Sequence, residues 1–277
     1  MKRLLMLLPI FLMVSCSGEK GNDWEEMNLK GEVKSSWERR YSAYEGDGGK
    51  PVKLNLEMSV LSKFDEKGRL LALCSLDANN DTIRKIVSLY NEKGVLERKE
   101  VYDGLGELQN YSTFAYDEKR RVVETLYYDV HGELLQKDKS IYNDDNLIET
   151  MTELDAYGKL LKKIEIQKTK DGFPSWVKVY NEEMALVNNR KEEYDKEGNL
   201  VHFIVYSSDE TIKFLEVNMS YDKGGNLVKY TGIDENEVEF LPQTYKYAFD
   251  EKTNWISSVE LVDGEVKFLT EREFSYY

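Results

Sequence analysis

Two cysteines, two histidines and four prolines are all that this chain of 277 residues contains, and no apolar run exceeds the eleven residues Leu4 to Val14. Each scarcity removes a class of protein. Cys16 lies at the end of that apolar run and leaves Cys74 without a partner, so no disulfide framework holds the fold. Cys74, in "LALCSL", is expected as a small buried hydrophobe. His131 is expected in a turn and His202 in a strand, and neither belongs to a ligand-spaced cluster. GxSxG and GxxxxGK[ST] are absent, and "GLGEL" after Asp103 lacks the third glycine of a dinucleotide loop. Asp77, Asn79 and Asp81 begin a calcium-loop spacing, but Thr82 and Ser88 stand where its glycine and glutamate belong, so a polar turn is expected. Basic residues are outnumbered 38 to 52, a net charge of −14, which argues against nucleic acid as a partner.

What the chain does have is a ladder. It has sixteen rungs, thirteen of them an apolar or aromatic residue followed by Asp or Asn, then two free positions and often Gly, and they recur mostly at alternating steps of 12 and 14 residues. Its rungs include Phe64-Asp65, Tyr90-Asn91, Tyr116-Asp117, Tyr142-Asn143, Tyr194-Asp195, Tyr221-Asp222 and Phe249-Asp250. An Asx side chain opening a type I turn accepts backbone N–H groups further round it, and Gly three residues on supplies the positive φ that closes a hairpin. About eight residues remain between turns, rich in Val, Ile, Leu, Tyr, Phe and Thr, a normal strand length.

The spacing predicts an all-β chain of about eighteen strands over residues 32–277, a long antiparallel meander of repeated hairpins. Laid flat it would be roughly 80 Å wide, so it is expected to curl into a curved, partly single-layer sheet, with propeller-like blades or a closed spiral as alternatives. Charges on both faces of "VLERKEVY" and "KLLKKIEIQ" favour the single layer. An open sheet would leave edges at its two ends, able to pair in edge-to-edge dimers.

At the amino end, Lys2 and Arg3, the apolar run and small Ser15 have the layout of a secretory signal over 1–15. "Met13-Val14-Ser15-Cys16" resembles the lipobox of bacterial lipoproteins, which implies lipidation at Cys16 and attachment to a membrane, and Ser17 resembles the outer-membrane sorting pattern. Residues 16–31 are expected to form a flexible tether. Without the signal the chain holds 36 basic and 52 acidic residues, a net −16.

"KFDEKGRL", "YNEKGVL", "YDKEGNL" and "YDKGGNL" resemble the YD repeats of Rhs and teneurin-type proteins, over roughly residues 32–277. That resemblance implies a repeat of β-hairpins whose recurring positions are structural. Arg120, Thr253 and the unit at Lys168 depart from the pattern, which puts regular curvature in question.

The candidate binding residues are aromatic. Tyr116, Tyr142 and Tyr194 recur in register and could stack sugar rings or grip a peptide, though covering a neighbouring hairpin explains the same periodicity. Trp176 and Trp255 break the repeat and are the better candidates. The expectation is a non-enzymatic envelope lipoprotein, without a cofactor, that binds a glycan, peptide or envelope protein. The alternative is a carbohydrate hydrolase using two carboxylates.

Overall fold

The structure is a computed structural model that describes residues 22–143 and 145–277. After a single helical turn, α1 (Asp23–Glu26), come eighteen strands. They are β1 (Val33–Glu45), β2 (Pro51–Phe64), β3 (Leu70–Leu76), β4 (Thr82–Tyr90), β5 (Leu96–Asp103), β6 (Leu108–Tyr116), β7 (Val122–Asp129), β8 (Leu134–Tyr142) and β9 (Ile148–Asp155). The second half holds β10 (Leu160–Lys168), β11 (Pro174–Tyr180), β12 (Leu186–Tyr194), β13 (Leu200–Tyr206), β14 (Lys213–Tyr221), β15 (Leu227–Asp234), β16 (Glu239–Phe249), β17 (Trp255–Val262) and β18 (Glu265–Tyr276).

The turns form as their residues require. Asp65 Oδ1 accepts the amides of Lys67 and Arg69, both at 2.9 Å, and the Gly68 amide donates to the Asp65 carbonyl. Gly68 sits at φ +78°, the left-handed residue that follows a type I turn and creates the bulge beside it. The same bonds recur at Asn91, Asp103, Asp117, Asp129, Asp155, Asp195, Asp222 and Asp250. Asp77 uses its carboxylate on the Asn79 and Asp81 amides, as a polar turn does. Arg120 and Thr253, the departures from the repeat, hold the same left-handed geometry at φ +60° and +67°, so they strain the turn without changing its course. In the "GLGEL" turn, a Cβ on Gly104 would lie 2.5 Å from the Thr82 carbonyl oxygen, so this glycine serves close backbone approach.

Each strand pairs antiparallel with the next, and β1 also pairs with β18, from Val33 opposite Tyr276 to Ser42 opposite Phe268. The sheet is therefore a closed eighteen-stranded barrel. This corrects the open curved sheet, the propeller and the spiral: the strand that was expected to be one free edge is bonded on both sides, and no edges remain for dimers. The strands tilt enough to close the ring. A path across them runs from Trp37 to Leu61, Cys74, Lys85, Tyr102 and Leu108, passing from the lower half of β1 to the tip of β6. Carried round, the stagger is about 20 residues, which for eighteen strands about 4.8 Å apart gives a tilt of about 40° and a backbone diameter of about 35 Å.

Cross-strand partners share a face, and the two faces differ in crowding. One carries Ser88, Thr125, Ile164, Ile166, Val217, Ser258 and Thr270, all buried. Side chains converge on a concave surface, so this set lines the inside. Phe214, Asn218 and Ser220, alternating with Val217 along β14, are exposed outside. Charges occupy both faces. Inside, Arg272 donates to Glu38 at 2.6 Å, Arg40 to Glu260 at 2.7 Å, and Lys168 pairs with Glu149 at 2.8 Å. Outside, Arg98 pairs with Glu100 at 2.9 Å and Lys163 with Glu165 at 2.6 Å, while Lys178 and Lys191 flank Trp176. The chain exposes 17730 Å², where a compact protein of 32.3 kDa exposes about 12,000 Å².

The barrel has two rims. The near rim is where β1 begins and β18 ends; the far rim carries the β1–β2 hairpin turn. Residues 22–32 lie across the near rim. Trp24 packs with Leu29, Val33 and Phe64 in the largest buried cluster of the near end, and its indole N–H donates to the Val33 carbonyl at 2.8 Å. Asn22 donates to the Lys67 carbonyl and Asn28 to that of Gly224, turns on opposite sides of β1. The second half of the stretch expected as tether is thus a fitted cap. The signal at 1–15 and Cys16 lie outside the described residues.

Candidate functional site

The cap and the near-rim turns enclose a half-open cavity of about 510 Å³. Its walls come from three places in the chain: Asn28 and Lys30 of the cap, Asp222 to Asn226 of one turn, and Phe249, Asn254, Trp255 and Arg272 around the next. Asn254 holds the cap down, accepting from the Lys30 amide and donating to the Lys30 carbonyl, both at 2.8 Å, while the same side-chain nitrogen lies 2.9 Å from the Tyr276 hydroxyl. Without that clasp the cavity would be a bare stretch of rim.

Trp255 is its aromatic wall. The Arg272 guanidinium stacks 3.5 Å from the indole centroid, and Tyr247 packs at 5.7 Å. Burial pulls the Arg272 pKa below its usual value, with the Glu38 carboxylate acting against that shift. Asp222 is the one carboxylate in the lining, and it is committed to Asn226 and to two turn amides. Burial works to raise its pKa, but those hydrogen bonds win and hold it below the ordinary range. A carboxylate so stabilised is a poor proton donor, and inverting or retaining hydrolysis needs a second one beside it. What the cavity offers is an aromatic plate, a stacked cation, the Lys30 ammonium and several amides, which suits hydrogen-bonded, stacked recognition of a polar ligand.

The other sequence candidates lie apart from it. Trp176 sits on the outer face, its indole N–H donating to Asn189, with Lys178 and Lys191 4.5 and 4.1 Å from its ring centroid. The tyrosines knit the near rim. Tyr116 donates to the Leu96 carbonyl at 2.8 Å and Tyr142 to that of Val122 at 3.1 Å, each reaching the previous near-rim turn, as Tyr90, Tyr221 and Tyr247 also do. Tyr194 stacks on Phe173 at 5.0 Å. His202 lies between Glu216 and Glu193 at 3.1 and 3.5 Å, less apolar surroundings than its sequence neighbours imply. Cys74 is buried. Among the described residues no group of three or more His, Cys, Asp and Glu side chains could hold a metal ion. Arg272 and Asn254 were not singled out from sequence, since their partners Glu38 and Lys30 lie more than 200 residues away.

No protein-family model matches this chain, and no curated protein does. Among solved structures it is similar to a porin-like protein from Bacteroides uniformis ATCC 8492, at 12% identity and a TM-score of 0.43, covering 88% of this chain and 98% of that one. A porin-like protein from Bacteroides vulgatus ATCC 8482 matches at 10% identity and 0.33, with the same coverage. The Photorhabdus luminescens Tc holotoxin pore matches at 14% identity and 0.32, over 78% of this chain and 12% of that one.

Proposed function

We propose that this protein is an exported, lipid-anchored, non-enzymatic binding module of the bacterial envelope, and that its barrel stands in water rather than in a bilayer. The observation that carries this is the charge on both faces of the closed sheet. A membrane-spanning barrel needs an outward band about 25 Å tall that is apolar, and each Lys or Arg at mid-depth there costs about 2–4 kcal/mol. Here the outer face carries Arg98, Lys137, Lys163, Lys178 and Lys191 in successive hairpins, all on strands. Together with the export signal and the lipobox-like Cys16, this supports a water-filled shell tied down by its amino end. The near rim would then face the membrane, since the cap begins six residues after Cys16.

The cavity beside Trp255 is the proposed ligand site, with a glycan or a peptide as ligand. Two measurements test the reading. Metabolic labelling with a fatty acid should mark the wild type and not Cys16→Ala, and the unlabelled variant should leave the membrane fraction without detergent; a variant still requiring detergent would place the barrel in lipid and sink the proposal. Calorimetric titration of soluble envelope-glycan fragments and short peptides should give heat with the wild type and at least tenfold weaker binding with Trp255→Ala. No heat from either ligand class would remove the cavity from the proposal.

A further inference from the structure

The two rims are built from the same turn and decorated differently. In the turn Asp-x-x-Gly the two middle positions are free of the fold's demands. On the near rim they carry Glu66-Lys67, Glu92-Lys93, Glu118-Lys119, Lys170-Asp171, Lys196-Glu197 and Glu251-Lys252. On the far rim, six successive turns each expose one large apolar side chain: Leu105 at 87%, Val130 at 43%, Tyr157 at 97%, Met184 at 47%, Ile212 at 50% and Val238 at 56%. Among the described residues of the near-rim turns, Ile148, which closes the turn at Asn143, is the one exposed large hydrophobic. Leu105 and Tyr157 cover nothing in their own barrel, so folding gives no reason for them to be there.

Charge divides the same way. The nine far-rim turns hold 16 Asp and Glu against two Lys, and the eight near-rim turns 13 against ten Lys and Arg. The far-rim turns therefore carry a net charge of −14 and the near-rim turns a net −3.

We infer that the far rim is a docking ring for a protein partner whose surface is cationic and apolar. The six side chains are spaced two strands apart, so a partner that covers the rim can meet several of them at once. The acidic surround selects the occupant: a second copy would bring fourteen like charges against fourteen, and an anionic lipid surface would be repelled as well, whereas a basic surface is drawn in and oriented. The inference rests on the binding-module reading for its role, but neither on the lipid anchor nor on the Trp255 cavity.

The test is anisotropy titration of a fluorescein-labelled amphipathic peptide of Lys and Leu with the full mature chain. Leu105→Ser with Tyr157→Ser should weaken binding at least tenfold, whereas Leu89→Ser with Ile141→Ser, exposed strand residues at the near end of the barrel, should change it less than twofold. Affinity should rise as salt falls. Near-UV circular dichroism confirms that both variants keep the fold, and a pair that fails to fold is replaced by Tyr157→Ser alone. Equal loss in both pairs, or no binding, overturns the ring while leaving the Trp255 titration to judge the module. Sedimentation showing a dimer that the rim substitutions dissolve would make the occupant a second copy, and rim-dependent binding to phosphatidylglycerol vesicles would make it a lipid surface; either overturns the inference.

Discussion

At the scale of single residues, the turn chemistry is local and strongly over-determined. Each opening Asp or Asn satisfies two amides within five residues, so the hairpin closes whether or not glycine is available for the left-handed position. Where glycine is missing, the strain is measurable. Thr253 is β-branched at φ +67°, a conformation costing an L-residue about 1–2 kcal/mol, of which glycine's extra freedom in the unfolded chain offsets about half. Thr253→Gly should stabilise the barrel by about 0.5–1 kcal/mol in urea unfolding, with the m-value unchanged. A loss of stability would mean that the Thr253 side chain, which lines the Trp255 cavity, makes a contact worth more than the strain. This level of the structure was readable from sequence, including the turns at Arg120 and Thr253 that lack glycine.

At the scale of elements, strands were legible because their pattern is carried by turns at both ends, but their pairing partners beyond the next hairpin were not. The decisive element is β18, bonded to β17 and to β1: Thr270 lies opposite both Ser258 and Arg40. Proline there removes an amide from the ladder, which is why proline is confined to edge strands, strand starts and bulges. Thr270→Pro should expose two long edges, giving concentration-dependent aggregation and rapid proteolysis within β1 and β18. A monomeric, protease-resistant product would show that the seam contributes little and that the hairpins hold alone. The cap belongs to this scale too. Its sequence is polar and reads as a tether, yet Trp24 and Leu29 are buried because Val33 and Phe64 meet at the seam to receive them.

At the scale of the whole molecule, stability is distributed round the ring, so its pH dependence is a sum over turns. Asp65, Asp117, Asp195 and Asp222 are all held below the usual Asp range; burial opposes this, and hydrogen bonds from the turn amides and from Arg or Asn outweigh it. A carboxylate whose folded pKa is depressed contributes stability that is fully present above its unfolded pKa of about 3.9 and is lost as pH falls through the lower folded value. The barrel should therefore keep its melting temperature from neutral pH down to about 4 and lose it steeply below that, as followed by circular dichroism. Loss of structure beginning near pH 6 would contradict this. The polarity of the two rims is also a property of the whole molecule, since each turn contributes one apolar tip or one charge pair and only the ring collects them.

The sequence by itself determined what depends on contacts a few residues apart: the turns, the strands between them, the antiparallel order and a single layer with charge on both faces. The tertiary structure decided what depends on distant partners. Closure joins residues more than 200 positions apart and follows from a tilt accumulated over eighteen small staggers, none of them visible in one hairpin. The Trp255 cavity, the seated cap and the division into a near and a far rim all follow from that closure, because a ring gives its turns only two ends on which to gather.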